Sequence, residues 1–104
     1  MYYAEFYSRR PDVPPEVFRE TVRRTDRLWA EGNPQDRPRL ALGRTWGLGG
    51  PQYIVIWEIE GFARVDGWTE QVRTDPGSAG LIEEWLTMVE CDAGVYEDLG
   101  DEQL

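Results

Sequence analysis

Segments of period two and segments of helical period follow one another along this chain in the order β-α-β-β-α-β, and that order limits the fold more than any single residue does. Tyr2 to Arg9 alternates, with Tyr2, Ala4, Phe6 and Ser8 on one face and Tyr3, Glu5, Tyr7 and Arg9 on the other, which predicts a first strand. Beyond Arg10-Pro11-Asp12 the period changes. Phe18, Thr21, Val22, Thr25, Leu28 and Trp29 keep the spacing of one helix face, so a helix is expected from about Pro14 to Glu31, closed by Gly32-Asn33-Pro34. Its two leading prolines suit a first turn, where a missing N–H costs little, and Glu20 ahead of Arg23 and Arg24 reads as a solvated charged side.

Arg39 to Trp46 and Tyr53 to Ile59 read as strands joined in a hairpin through Gly47-Leu48-Gly49-Gly50-Pro51-Gln52. These glycines are turn formers and not a phosphate loop, because a strand follows them where a helix N-terminus would be needed. Helical spacing returns with Phe62, Val65, Trp68, Thr69 and Val72, interrupted by Gly67 and stopped by Asp75-Pro76-Gly77. Leu81, Ile82, Trp85 and Leu86 add a short helical stripe, and Met88 to Tyr96 a last strand. Residues 1–97 form one domain in this reading, followed by an acidic tail at 98–104.

The order predicts an α+β fold, a ferredoxin-like antiparallel sheet with its helices on one face. Tyr53-Ile54-Val55-Ile56-Trp57 is apolar at both parities, as in a strand buried on two sides. Helices on one face leave the other uncovered, and a second copy packed sheet to sheet about a two-fold axis is the simplest cover, so a homodimer is expected.

Composition excludes several function classes. Twenty carboxylates against eleven arginines and no lysine give a net charge of -9, which repels phosphate backbones and anionic membranes, so neither nucleic acid nor a membrane is an expected partner. The chain opens on Tyr2-Tyr3-Ala4-Glu5 and carries no long apolar run, which points to a cytoplasmic protein, and the single Cys91 reads as a small buried hydrophobe in a reducing compartment. No histidine is present, which removes Ser-His and Cys-His pairs, a proximal haem ligand and the usual zinc sites. An enzyme built on this sequence would work with carboxylates, tyrosine, arginine or the one cysteine, without metal or organic cofactor.

The layout, with Gly47 to Gly50 leading into Tyr53-Ile54-Val55-Ile56-Trp57-Glu58 and then Phe62-Ala63-Arg64, resembles the dimeric α+β barrel superfamily. Trp57, Arg64 and Asp75-Pro76 are similar to features of its NIPSNAP-type members. The resemblance implies two sheets closing an eight-stranded barrel and a cleft between helices and sheet. The superfamily includes antibiotic-biosynthesis monooxygenases and haem-degrading enzymes, several of which place a Trp on the second helix facing that cleft, a position matched by Trp68. The haem-degrading members also rely on a histidine that this chain lacks.

Strand-borne charges are the informative polar residues, since a charge facing a closed core is either paired or part of a site. They are Glu5, Arg44, Glu58, Glu90 and Asp92, with Arg44 the one arginine in the middle of an expected strand and so the natural counter-ion for a carboxylate or for an anionic ligand. A structural ion pair is the simplest role; two carboxylates held close would instead raise the pKa of one and make it an acid or base. Most of the five tryptophans are packing residues in the simplest reading. The alternative is a ligand site made by Glu5, Arg44, Trp57 and Trp68, suited to a flat aromatic molecule with an acidic group. The expectation is a homodimer that binds a hydrophobic, aromatic small molecule. A cofactor-independent monooxygenase or isomerase/cyclase of the same fold is one alternative, and a purely structural interaction module is the other.

Overall fold

A computed structural model describes residues 1–100. Its elements are β1 (Tyr2–Arg9), α1 (Pro15–Gly32), β2 (Leu40–Gly43), β3 (Tyr53–Glu58), α2 (Ala63–Thr74), α3 (Pro76–Leu86) and β4 (Val89–Tyr96). The strands form one antiparallel sheet in the order β2-β3-β1-β4, an α+β arrangement compatible with a ferredoxin-like chain path.

Antiparallel partners point to the same side of a sheet, so the register sorts the strand residues into two faces. Tyr3 pairs with Trp57 and Val95, Glu5 with Val55 and Ala93, and Tyr7 with Tyr53 and Cys91. All three helices touch this side: Phe18 of α1 and Trp85 of α3 stack at 5.9 Å, Trp85 meets Tyr7 edge-on at 5.0 Å, and Trp68 of α2 lies 5.3 Å from Tyr3. Tyr7, Val55, Trp85 and Val89 form the buried centre. The other side carries Leu40, Leu42, Ile54, Ile56, Ala4, Phe6 and Tyr96, and among the described residues no helix packs over it as a layer. Leu40, Leu42 and Tyr96 are accordingly about half exposed. The molecule is only 19 Å in its shortest dimension, the depth of one sheet and one helix layer.

Two element boundaries differ from the sequence expectation. The second strand, expected to reach Trp46, ends at Gly43. Arg44 makes one more ladder bond, its N–H donating to the Gln52 carbonyl at 2.8 Å, and its side chain then folds onto the Gly49 and Gly50 carbonyls. Gly49 and Gly50 have φ of 110° and 78°, in the region where only glycine is unstrained, so the loop closes there. Arg44 is therefore a loop residue and not a mid-strand one, and Trp46 and Leu48 project from the loop with 78% and 93% of their surface exposed.

The second difference is that the short helical stripe expected over Leu81 to Leu86 is a longer helix, α3, which already begins at Pro76. α2 runs through Gly67 without a break, and Asp75, expected only as a stop, is also the N-cap of α3. Its carboxylate accepts from the Ser78 hydroxyl at 2.7 Å and from the Ser78 and Gly77 amides at 3.3 and 3.4 Å, which satisfies amide donors that a new helix leaves unpaired. α1 lacks such a cap: Pro14 occupies the position and Pro15 follows at the first helical residue.

Candidate functional site

β1 sends Tyr3, Glu5 and Tyr7 to the helix-covered side because they are two residues apart on one strand. The two phenols bracket the carboxyl between them: Tyr3 Oη donates to Glu5 Oε2 at 3.0 Å and Tyr7 Oη donates to Oε1 at 2.6 Å. Among the described residues no arginine pairs with Glu5. Burial pushes the Glu5 pKa above its ordinary range. The hydrogen bonds from Tyr7 and Tyr3 oppose that rise in part, and Asp26 adds to it. Asp26, on α1, accepts from Tyr53 Oη at 2.6 Å and is itself pushed up, mainly by the shielding of its sheet-facing side. Tyr7 and Tyr53 stack at 5.9 Å, so the two carboxyl groups belong to one cluster roofed by α1. All three phenols are held above their usual pKa by burial and by the neighbouring carboxylates, and burial followed by the charges of Glu5 and Asp92 pushes the Cys91 thiol up to about 11.

This cluster gives a pH prediction. The folded-state pKa of Glu5 lies above the ordinary 4.5, so the folded protein keeps a proton that the unfolded chain releases first. The unfolding free energy then falls as pH rises from about 4.5 and levels once Glu5 ionises in the folded state. Asp26 acts with the same sign from 3.8 upward, while Asp75, held low mainly by its hydrogen bond from Ser78, contributes stability that is lost as pH falls through its folded value below 3.8. In E5Q the decline of the urea midpoint above pH 4.5 becomes shallower, leaving the Asp26 part. A slope identical to that of the parent would show that Glu5 does not titrate in that window.

A second group of rings closes one end of the helix-sheet layer. Tyr3, Trp57 and Trp68 lie with ring centres 5.3 to 5.7 Å apart. Trp68 Nε1 donates to Asp36, whose carboxylate is also held by Arg64, with Nε at 2.9 Å, and the Arg64 guanidinium sits 5.8 Å over the Trp68 ring. Trp57 Nε1 is buried here without a hydrogen-bond partner among the described residues.

Of the residues singled out from sequence, the fold brings Trp57 and Trp68 into contact and places Glu5 beside them through Tyr3. Arg44 stands apart, lining an open cleft of about 420 Å³ between α1 and the sheet where Pro15, Phe18, Val22 and Tyr53 supply apolar walls. It is not the counter-ion of any strand carboxylate. Glu58 pairs instead with Arg39 at 3.0 Å and Glu90 with Arg10 at 3.9 Å; both, with Asp92, lie on the uncovered side of the sheet. Sequence reasoning missed Tyr3, Tyr7, Tyr53, Asp26 and Asp36. The alternation of β1 already put Tyr3 and Tyr7 beside Glu5 on one face and could have found them; Asp36 sits in a loop that has no period to read.

Among the described residues no group of three or more Cys, Asp or Glu is arranged to hold a metal ion, and no helix is long and apolar enough to cross a membrane. No protein-family model and no curated protein matches the chain.

Proposed function

We propose that this chain is a cytoplasmic homodimer of the dimeric α+β barrel kind, with the ferredoxin-like path of its NIPSNAP-type members, that binds a hydrophobic, aromatic small molecule between its helices and its sheet. The observation that carries the reading is the cleft beside α1. Its volume of about 420 Å³ falls within the range of small-molecule sites, Phe18, Val22 and Tyr53 offer it aromatic and aliphatic walls, and Tyr53 joins it to the half-buried Glu5 carboxyl through Tyr7 and to the exposed Asp26 carboxyl directly. The uncovered sheet side, with Leu40, Leu42, Ile54, Ile56 and Phe6 on adjacent strands, supports the dimer, because soluble monomers rarely leave so contiguous an apolar surface in water. Trp46 and Leu48 on the β2–β3 loop are further large apolar side chains left in water.

Native mass spectrometry of freshly purified protein tests both parts: the expected result is a dimer mass that retains a small organic molecule or takes up added 2-naphthol. Gly43 lines the cleft, and a Cβ added there meets nothing within 4 Å. G43F therefore fills the cleft from an edge strand and is expected to weaken 2-naphthol binding at least tenfold with the fold intact. Undiminished binding in G43F would place the ligand elsewhere.

A second reading is favoured by Glu5 itself. A carboxyl whose pKa burial raises, held under two tyrosine hydroxyls, is suited to proton transfer in an isomerase, a cyclase or a cofactor-independent monooxygenase, acting on a substrate that reaches past Tyr53 and Tyr7. In that case E5Q abolishes turnover and leaves ligand affinity within a few-fold of the parent.

A further inference from the structure

Eleven arginines share this chain with twenty carboxylates, and what sets some of them apart is that they gather on one cavity that no carboxylate lines. Arg10, Arg24, Arg39, Arg64 and Arg73 pair with Glu90, Glu84, Glu58, Asp36 and Glu70. Four others, Arg9, Arg19, Arg23 and Arg44, line the cleft beside α1; none of them pairs with a carboxylate among the described residues, and no carboxylate lines the cleft. They come from three places in the fold. Arg9 ends β1, Arg44 follows β2, and Arg19 and Arg23 stand one turn apart on α1.

Arg19 and Arg23 put like charges at that helical spacing, and an anion held between them on the cleft side would relieve their repulsion. Arg9 and Arg44 each spend part of their hydrogen-bonding capacity on main-chain carbonyls, Arg9 on Val13 and Arg44 on Gly49 and Gly50, which fixes where the guanidiniums sit and leaves further N–H donors unspent. Fixed guanidinium forks that face one space suit bidentate recognition of an oxyanion.

We propose that this cleft binds its ligand by an anionic head held among Arg9, Arg19, Arg23 and Arg44, and that the ligand is a small organic phosphate with an apolar, aromatic body against Phe18, Val22 and Tyr53. The inference rests on the ligand-binding reading above and names the chemistry of its ligand. A phosphate monoester offers three terminal oxygens and up to two charges, which matches four guanidiniums better than a single carboxylate does. The net charge of -9 repels an extended polyanion while a small anion reaches the local positive patch, so the ligand is an isolated phosphate ester and not a nucleic acid.

Phenyl phosphate, inorganic phosphate and phenol are titrated into the full chain by calorimetry, and the R19Q/R23Q double variant is compared with R27Q/R37Q, which removes as much charge from exposed positions outside the cleft. Phenyl phosphate is expected to bind more tightly than either of its halves, at least tenfold more weakly to R19Q/R23Q, and unchanged to R27Q/R37Q. Equal weakening by both double variants, or none by R19Q/R23Q, overturns the proposal. If phenol matches phenyl phosphate in the parent and G43F abolishes both, the apolar ligand reading stands and the phosphate is excluded. If no probe binds the parent, both fall. Arg19 and Arg23 are exposed on α1, and an unchanged thermal midpoint separates lost binding from lost folding.

Discussion

Replacing Trp85 with Ala is expected to remove about 3–5 kcal/mol of stability, a large part of what a domain this size has in total. Trp85 is 4% exposed and belongs to the buried centre with Tyr7, Val55 and Val89, meeting Tyr7 edge-on and stacking on Phe18. It is the side chain through which α3, α1 and β1 touch one another. The layer is thin, so neighbours have little freedom to collapse into the space an indole leaves, and the cavity adds to the lost transfer energy. In urea the midpoint should fall by roughly 2 M, given the slopes usual for small domains. W85F keeps one ring and should recover about half of the loss. A W85A midpoint within about 0.5 M of the parent would mean that the helix layer is held by something other than this contact.

The second large effect concerns association. In the proposed dimer Leu42 faces its two-fold mate beside Ile54 and Phe6, and it lies on the edge strand, half exposed in the single chain. L42E therefore leaves the isolated fold nearly undisturbed but brings two uncompensated charges into a dry interface, one from each copy. Dimer dissociation is expected to strengthen on the order of 100-fold, equivalent to about 3 kcal/mol. Sedimentation across a concentration series checks it, with E58A as a control on the same face at a residue that is already exposed and charged. A parent that sediments as a monomer at every concentration removes the dimer outright. L42E with the parent's dissociation constant would move the interface off this face.

How far the sequence predicted this fold depended on what each residue's signal was. Period carried well: the alternation of β1, the two-sided apolarity of β3 and the stripe of α1 all name elements that the structure contains at nearly the same bounds. Such patterns are legible because they express which side of an element meets the core. The end of β2 was not legible, since Arg44-Thr45-Trp46 continues to look strand-like and only the φ requirement at Gly49 and Gly50 makes the chain leave the sheet early. Asp75 was read as a stop because Asp-Pro-Gly breaks helices, yet the same carboxylate begins the next one, and a cap is a matter of geometry as much as of residue type.

The site divides in the same way. Glu5 could be chosen as a strand-borne charge, and parity put Tyr3 and Tyr7 next to it. What joins Arg44 to Arg9, Arg19 and Arg23 is tertiary, and in the sequence the α1 arginines look like an ordinary solvated face. Arg24, read from sequence as part of a solvated charged side with Glu20 and Arg23, pairs in the structure with Glu84 of α3, a partner that no local spacing could indicate.

The position of β1 inside the sheet bears on how the chain acquires its fold. Tyr2 to Arg9 pairs on one side with β3 and on the other with β4, so each rung of its ladders joins residues far apart in sequence, Tyr2 with Glu58 and with Tyr96. Every such rung requires a long loop to close before it returns any free energy, whereas α1 and the β2–β3 hairpin can form from neighbours alone. β1 therefore has no local partner and waits for β3 and β4, with its phenols and the Glu5 carboxyl in water until one of them arrives. The tyrosine cluster is accordingly a reporter of long-range assembly, and the emission of Trp57, Trp68 and Trp85, which lie 5.0 to 5.7 Å from its rings, should change with the slow refolding phase and not with helix formation.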